Sequence, residues 1–186
     1  MKRFITTLIF GVLVATATSN TIEVCPKCEM ASLKQAIAIA TPCDTILVKG
    51  GMYKEGNIVV DKELTFIGEN WPIIDGEKST EILTVIADHF LMEGFQVQNV
   101  GESYVEDRAG IRIKKAREFT IRNNRFYDAF FAIYLQHAAD GVVDGNTVVS
   151  HAKSEANSGN AVHMWYCDNI RVSNNFVTGN RDGIYL

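Results

Sequence analysis

Two short stretches hold the residue types that can do chemistry: Cys25-Pro26-Lys27-Cys28, and His163-Met164-Trp165-Tyr166-Cys167. Cysteines separated by two residues close a disulfide, within the pair or to Cys43, or present two thiolates to a soft metal such as Cu(I). A zinc ribbon needs a second Cys-x-x-Cys, and the remaining cysteines, Cys43 and Cys167, do not form one. Imidazole and sulfur donors in the second stretch suit copper better than a hard cation. His151 lies in "SHAKSEANSGN" (150–160), a stretch that reads as a loop able to approach His163. The candidate metal residues are Cys25, Cys28, His163 and His151, whose donor types permit copper. Met164 would join only if its strand turned it away from the core.

The elements that position these residues show in an internal repeat. "VHMWYCDNIRVSNNFV" (162–177) falls on "IYLQHAADGVVDGNTV" (133–148) after a shift of 29, and that falls on "IRIKKAREFTIRNNRF" (111–126) after a shift of 22. A further shift of 29 reaches "ILTVIADHFLMEGFQV" (82–97). The unit is about 22 residues, with insertions at "GESYVEDRAG" (101–110) and near 151–160. Its columns are apolar: Ile82, Ile111, Ile133, Val162 and Ile184; then Thr84, Ile113, Leu135, Met164 and Leu186; then Met92, Ile121, Val143 and Val172; then Val97, Phe126, Val148 and Val177. Neighbouring columns are two residues apart, which marks strands and not helices. Asn124, Asn146 and Asn175 form a polar column that Phe95 interrupts; asparagine tolerates left-handed turns, and stacked amides bond to one another.

A repeat of this size, with short strands and Asn/Gly turns, predicts an all-β parallel β-helix, a solenoid whose coils bury their apolar faces only by stacking. The expected organisation is a signal peptide over 1–19, an N-terminal cap and first strands over 20–75, and rungs over 76–186. The leader reading rests on Lys2-Arg3, the apolar run Phe4–Ala17 and Ala15-Thr16-Ala17, and implies an exported protein. The cap is a short helix begun by Ser32, with Leu33, Ala36, Ile37 and Ala40 as its apolar stripe. Three strands should follow it, divided at Gly50-Gly51 and Asp61-Lys62. Leu186 falls within an apolar column, so the solenoid is expected to continue beyond it. The formal charge of −4 argues against a nucleic-acid partner.

Within this frame Met164 faces inward and Cys167 fills a small-residue slot shared with Ala87, Ala116 and Ala138. The outward residues are Leu83, Arg112, Tyr134, His163 and Tyr185, then Val85, Lys114, Gln136 and Trp165. Neither set holds a carboxylate, whereas glycoside hydrolysis needs two facing one groove. The chain is therefore not expected to be an enzyme. Tyr134, Gln136, His137, Trp165 and Tyr185 form the expected partner or ligand surface. Arg108, Arg112, Lys114, Lys115 and Arg117 make a basic cluster that reads as a solvated face or as a dock for an acidic partner.

"SLKQAIAIATPCDTILVKGGMYKEGNIVVDKELTFIGENWPIIDGE" (32–77) resembles the opening of right-handed parallel β-helix proteins of the carbohydrate-binding and sugar-hydrolase type. With the leader, "VCPKCEM" (24–30) and rungs such as "GNAVHMWYCDNIRVSNNFVTGNRDGIYL" (159–186), the chain looks like the NosD-type proteins that mature nitrous oxide reductase. That resemblance implies a periplasmic protein working with an ABC-type ATPase, its membrane permease and a copper chaperone to assemble the copper–sulfur centre of nitrous oxide reductase. The other readings are a carbohydrate-binding or polysaccharide-degrading β-helix and a non-enzymatic surface scaffold.

Overall fold

The computed structural model describes residues 19–101, 103, 105–151 and 159–186, so all of the expected leader except Ser19 lies outside the described residues. The chain coils through three parallel sheets whose strands are numbered β1–β19 in chain order. The first sheet holds β1 (Thr21–Val24), β2 (Asp44–Lys49), β5 (Leu64–Glu69), β8 (Leu91–Glu93), β11 (Thr120–Arg122), β14 (Ala139–Asp144) and β17 (Asp168–Ser173). The second holds β3 (Met52–Tyr53), β6 (Ile73–Asp75), β9 (Gln96–Gln98), β12 (Arg125–Tyr127), β15 (Thr147–Val149) and β18 (Phe176–Thr178). The third holds β4 (Ile58–Val60), β7 (Leu83–Val85), β10 (Ala109–Lys114), β13 (Phe131–Gln136), β16 (Asn160–Trp165) and β19 (Asp182–Tyr185). This is a right-handed parallel β-helix.

Inward side chains at alternate positions stack coil on coil. Ile46, Phe66, Met92, Ile121 and Val143 form one buried column, and Ile111, Ile133 and Val162 form another. Each such side chain contributes about 1.5–3 kcal/mol by leaving water. Val162 sits on Ile133 as the repeat predicts, while Met164 and Val172 pack against the core half-buried. In the coil formed by β16–β19 the inward side chains are less covered, with Ile184 and Leu186 exposed.

Turns follow the same stacking. Gly94, Asn123, Gly145 and Asn174 all take left-handed backbone at successive levels of one corner. One residue later the predicted asparagine ladder runs inside the corner. Asn175 Oδ1 accepts from the Asn146 backbone N–H at 2.8 Å, and Asn146 Oδ1 accepts from that of Asn124 at 3.0 Å. The ladder ends where Asn124 Oδ1 accepts from the N–H of Phe95 at 3.0 Å.

The cap is helix α1 (Leu33–Ile39), with Leu33, Ala36 and Ile37 buried and the Ser32 hydroxyl accepting from Gln35 N–H. Glu55 completes it: its carboxylate accepts from the N–H groups of Leu33 and Lys34 and from the Ser32 hydroxyl.

Three expectations change. Four strands, not three, follow the helix: β2, β3, β4 and β5. Coiling already begins there, so no break separates 20–75 from 76–186; β3 and β6 belong to the same sheet as β9. Finally, Leu83 and Val85, not Ile82 and Thr84, align with Ile111 and Ile113. The turn from β7 to β8 is one residue shorter than that from β10 to β11, which shifts the strand by one. Leu83 and Val85 are buried, and Thr84 takes the outward place.

Candidate functional site

The outer face of the third sheet gathers the residues with chemical potential. Thr84, Arg112, Tyr134, His163 and Tyr185 lie side by side on successive strands, and Lys114, Gln136 and Trp165 form a parallel row. Neighbouring members are one strand spacing apart, about 4.8 Å.

At its β7–β10 end this face carries a polar cleft of about 530 Å³, lined by Asn57, Glu81, Thr84, Glu106, Asp107, Arg108, Arg112, Lys114 and Gln136 among others. Its centre is an ion pair. Arg112 Nη2 and Nε donate to Glu81 Oε2 at 2.7 and 2.8 Å, with side-chain exposures of only 15% and 17%. The Ala109 N–H also reaches that oxygen, and the Thr84 hydroxyl donates to Oε1 at 2.5 Å. Arg112 further donates to the Asp107 carbonyl and, at 3.4 Å, to Gln136 Oε1, and it lies 4.4 Å above the Tyr134 ring. The outward rows hold no carboxylate, as their columns read, but the cleft gains them from outside the rows. Glu81 comes from the segment before β7, and Asp107 and Glu106 from the insertion that returns into β10.

Tyr134 does not form part of an open surface. It is 4% exposed, packed with Ala109 and Phe131 in a small apolar cluster outside the coil. Burial, reinforced by the charge of Asp107, pushes its phenol above the ordinary tyrosine range. Alternation predicts the direction of a side chain and not what covers it.

His163 lies between Tyr134, edge-on at 4.8 Å, and Tyr185, stacked at 5.1 Å, with Phe131 at 4.7 Å. Its tautomer follows from the hydrogen bonds. Arg181 Nη2 donates to Asn160 Oδ1 at 3.3 Å, which turns Asn160 Nδ2 toward His163 Nδ1 at 2.8 Å. Nδ1 must then accept, so Nε2 carries the proton. Burial holds the imidazole below the usual histidine range. In this state His163 donates through Nε2, and its Nδ1 lone pair is engaged by Asn160. Beyond it the face opens into an aromatic shelf, with Trp165 47% and Tyr185 45% exposed. Tyr166 packs edge-on to Trp165 and stacks on His137 at 5.4 Å, so His137 supports the shelf.

The loop expected to bring His151 toward His163 lies, over 152–158, outside the described residues. His151 follows β15 and pairs through Nδ1 with Asp128 at 2.9 Å, a pairing that leaves Nε2 able to accept or ligate. Cys25 and Cys28 form a disulfide with each other, not with Cys43, and so present no thiolate. Among the described residues no three His, Cys, Asp or Glu side chains come together as a metal site. Cys167 donates weakly to the Leu135 carbonyl and packs half-buried against the core, as its small-residue slot predicts.

Three functional residues escaped the sequence: Glu81, Asn160 and Arg181. Asn160 alone left a trace, directly after Gly159 at the start of a strand column.

Residues 109–186 match the family described as the right handed beta helix region. The chain is 28% identical over 130 residues to the "Probable ABC transporter binding protein NosD" of Pseudomonas aeruginosa, covering 69% of this chain and 30% of that protein's length. Among solved structures, the pectin methylesterase of Aspergillus niger superposes with a TM-score of 0.44 at 13% identity, covering 91% of this chain and 85% of that one. A pectin methylesterase bound to a hexasaccharide gives 0.42 at 13% identity, over 82% and 72% of the two chains.

Proposed function

From a chain that is a right-handed β-helix distantly related to NosD-type proteins, we propose an accessory protein for copper-centre assembly in nitrous oxide reductase. It acts outside the cytoplasmic membrane, exported by residues 1–19, beside an ABC-type ATPase, its permease and a copper chaperone. Its role is non-enzymatic. The observation that supports this reading best is the face of the third sheet, where an aromatic shelf of Trp165 and Tyr185 adjoins a cleft of paired charges. Exposed aromatic rings beside charged groups suit protein docking, since such rings bury large areas at low entropic cost. Glu81 is tied down by Arg112, Thr84 and a backbone N–H, which suits a structural floor better than a catalytic acid.

The test uses a strain lacking the chromosomal copy. Complementation with the wild-type protein should restore the copper–sulfur absorption of purified nitrous oxide reductase. Trp165→Ala/Tyr185→Ala should lose that absorption while remaining folded and exported. Lys54→Ala, which alters an exposed ion pair elsewhere, should retain it. Full assembly with the double variant would overturn the docking role of this face.

A further inference from the structure

The disulfide between Cys25 and Cys28 does little to hold the fold. It spans a sequence separation of 3, and so short a loop restricts the unfolded chain little. The turn around it is anchored by other means. Val24 is buried and paired with Val48, and its carbonyl accepts from the Tyr53 hydroxyl. The Cys25 N–H donates to the Met30 carbonyl, and the Cys28 N–H to the Cys25 carbonyl, both at 3.1 Å. Pro26 lies so close over Gly51 that a Cβ there would come within 2.3 Å of its ring. With these contacts in place, opening the sulfur bond leaves both ends of the turn fixed.

Access is also unequal among the cysteines. Cys25 and Cys28 are half-exposed and the residues between them, Pro26 and Lys27, are exposed. The pair's availability to a partner thiol therefore rests on access. Cys43 is exposed but free, and desolvation together with Glu63 and Asp44 pushes its thiol up, away from the reactive thiolate. Cys167 is half-buried against the core.

We propose that Cys25–Cys28 is a redox-active disulfide, reduced and reoxidised by thiol–disulfide exchange with a dithiol protein while the β-helix stays folded. A partner thiolate attacks one sulfur of the pair, the sulfur–sulfur bond breaks, and the other cysteine leaves as a thiolate. The partner's second thiolate then attacks its own sulfur in the mixed disulfide and releases the first cysteine. Two electrons and two protons pass to this chain, and the partner becomes the disulfide. This holds whether or not the chain serves copper-centre assembly.

The test uses the purified chain in a Cys43→Ser/Cys167→Ser background, exposed to thioredoxin with its reductase or to dithiothreitol, without denaturant. Alkylation counted by mass should show two new thiols within minutes, with the β-sheet circular dichroism unchanged. Thiols appearing only in denaturant, or only with loss of the β signal, would make the bond a structural staple and overturn the proposal. As a second arm, Cys28→Ser should leave Cys25 able to form a stable mixed disulfide with thionitrobenzoate in the folded chain. An unreactive Cys25 would count equally against it.

Discussion

Asn160 Nδ2 faces His163 Nδ1 at 2.8 Å while Arg181 holds the opposite end of the same amide, Oδ1, at 3.3 Å. Protonating Nδ1 would set two donors against each other, or force the amide to flip and turn its N–H groups onto a guanidinium. The network therefore resists a charged imidazole in the same direction as burial, which is the largest cause of the lowered pKa; Arg181 and Arg112 add to it and Asp107 opposes it.

The pH dependence follows from that direction. The folded pKa lies below the unfolded one, about 6.5, so the unfolded chain takes up the proton first as pH falls. The stabilising contribution of neutral His163 is complete above the unfolded value and is lost as pH falls through the folded one. Urea midpoints compared at pH 8 and pH 5.5 should fall more for the wild type than for His163→Gln. Nitrogen NMR should show the proton on Nε2. Asn160→Asp should raise the His163 titration above that of the wild type by giving Nδ1 an acceptor.

The asparagine ladder predicts a gradient of stability along the coil. Asn146 Oδ1 accepts from the Asn124 N–H, and its Nδ2 donates to the Ile121 carbonyl at 2.9 Å, all of it buried. Asn146→Ala strands both backbone groups, each costing about 1–3 kcal/mol. Asn175 makes the same bonds while half-exposed, so water can replace them. Chemical denaturation should show Asn146→Ala losing at least twice the stability lost by Asn175→Ala.

The ladder and the core columns were legible because each coil repeats one two-residue alternation, and the registers Ile121 with Val143 and Ile133 with Val162 follow from it. The phase at Ile82-Leu83-Thr84-Val85 was not, since apolar residues occur in both phases and only the shortened turn after β7 decides between them. The cleft was hidden for another reason. Glu81 and Arg112 are separated by 31 residues and meet only because β7 and β10 are neighbours once the insertion at 101–110 has returned. The amide that sets the His163 tautomer is close in sequence, but its orientation depends on Arg181, one coil later.

Arg112 couples the cleft to the buried aromatic cluster through Glu81 on one side and Tyr134 on the other. Arg112→Met leaves Glu81 with the Thr84 hydroxyl and the Ala109 N–H alone, and should destabilise the chain by about 1–3 kcal/mol. Glu81→Gln keeps the shape and relieves the stranded charge. In the double variant much of the loss should return, giving a coupling of roughly 1–2 kcal/mol in a denaturation cycle. Additive losses would show that the pair is screened by water despite its low exposure.

Copper uptake separates the candidate ligands. As a disulfide, Cys25 and Cys28 offer no thiolate, and the Asn160 bond ties up His163 Nδ1 while its proton blocks Nε2. Reduction would free two thiolates on one turn, the donor type that Cu(I) prefers. Competition against a chromophoric Cu(I) chelator should therefore show binding by the reduced chain only. It should vanish in Cys25→Ser/Cys28→Ser and persist in His163→Ala. Equal binding by oxidised and reduced protein, or loss on His163→Ala, would show that the imidazole is a ligand after all and that the amide network reorganises around the metal.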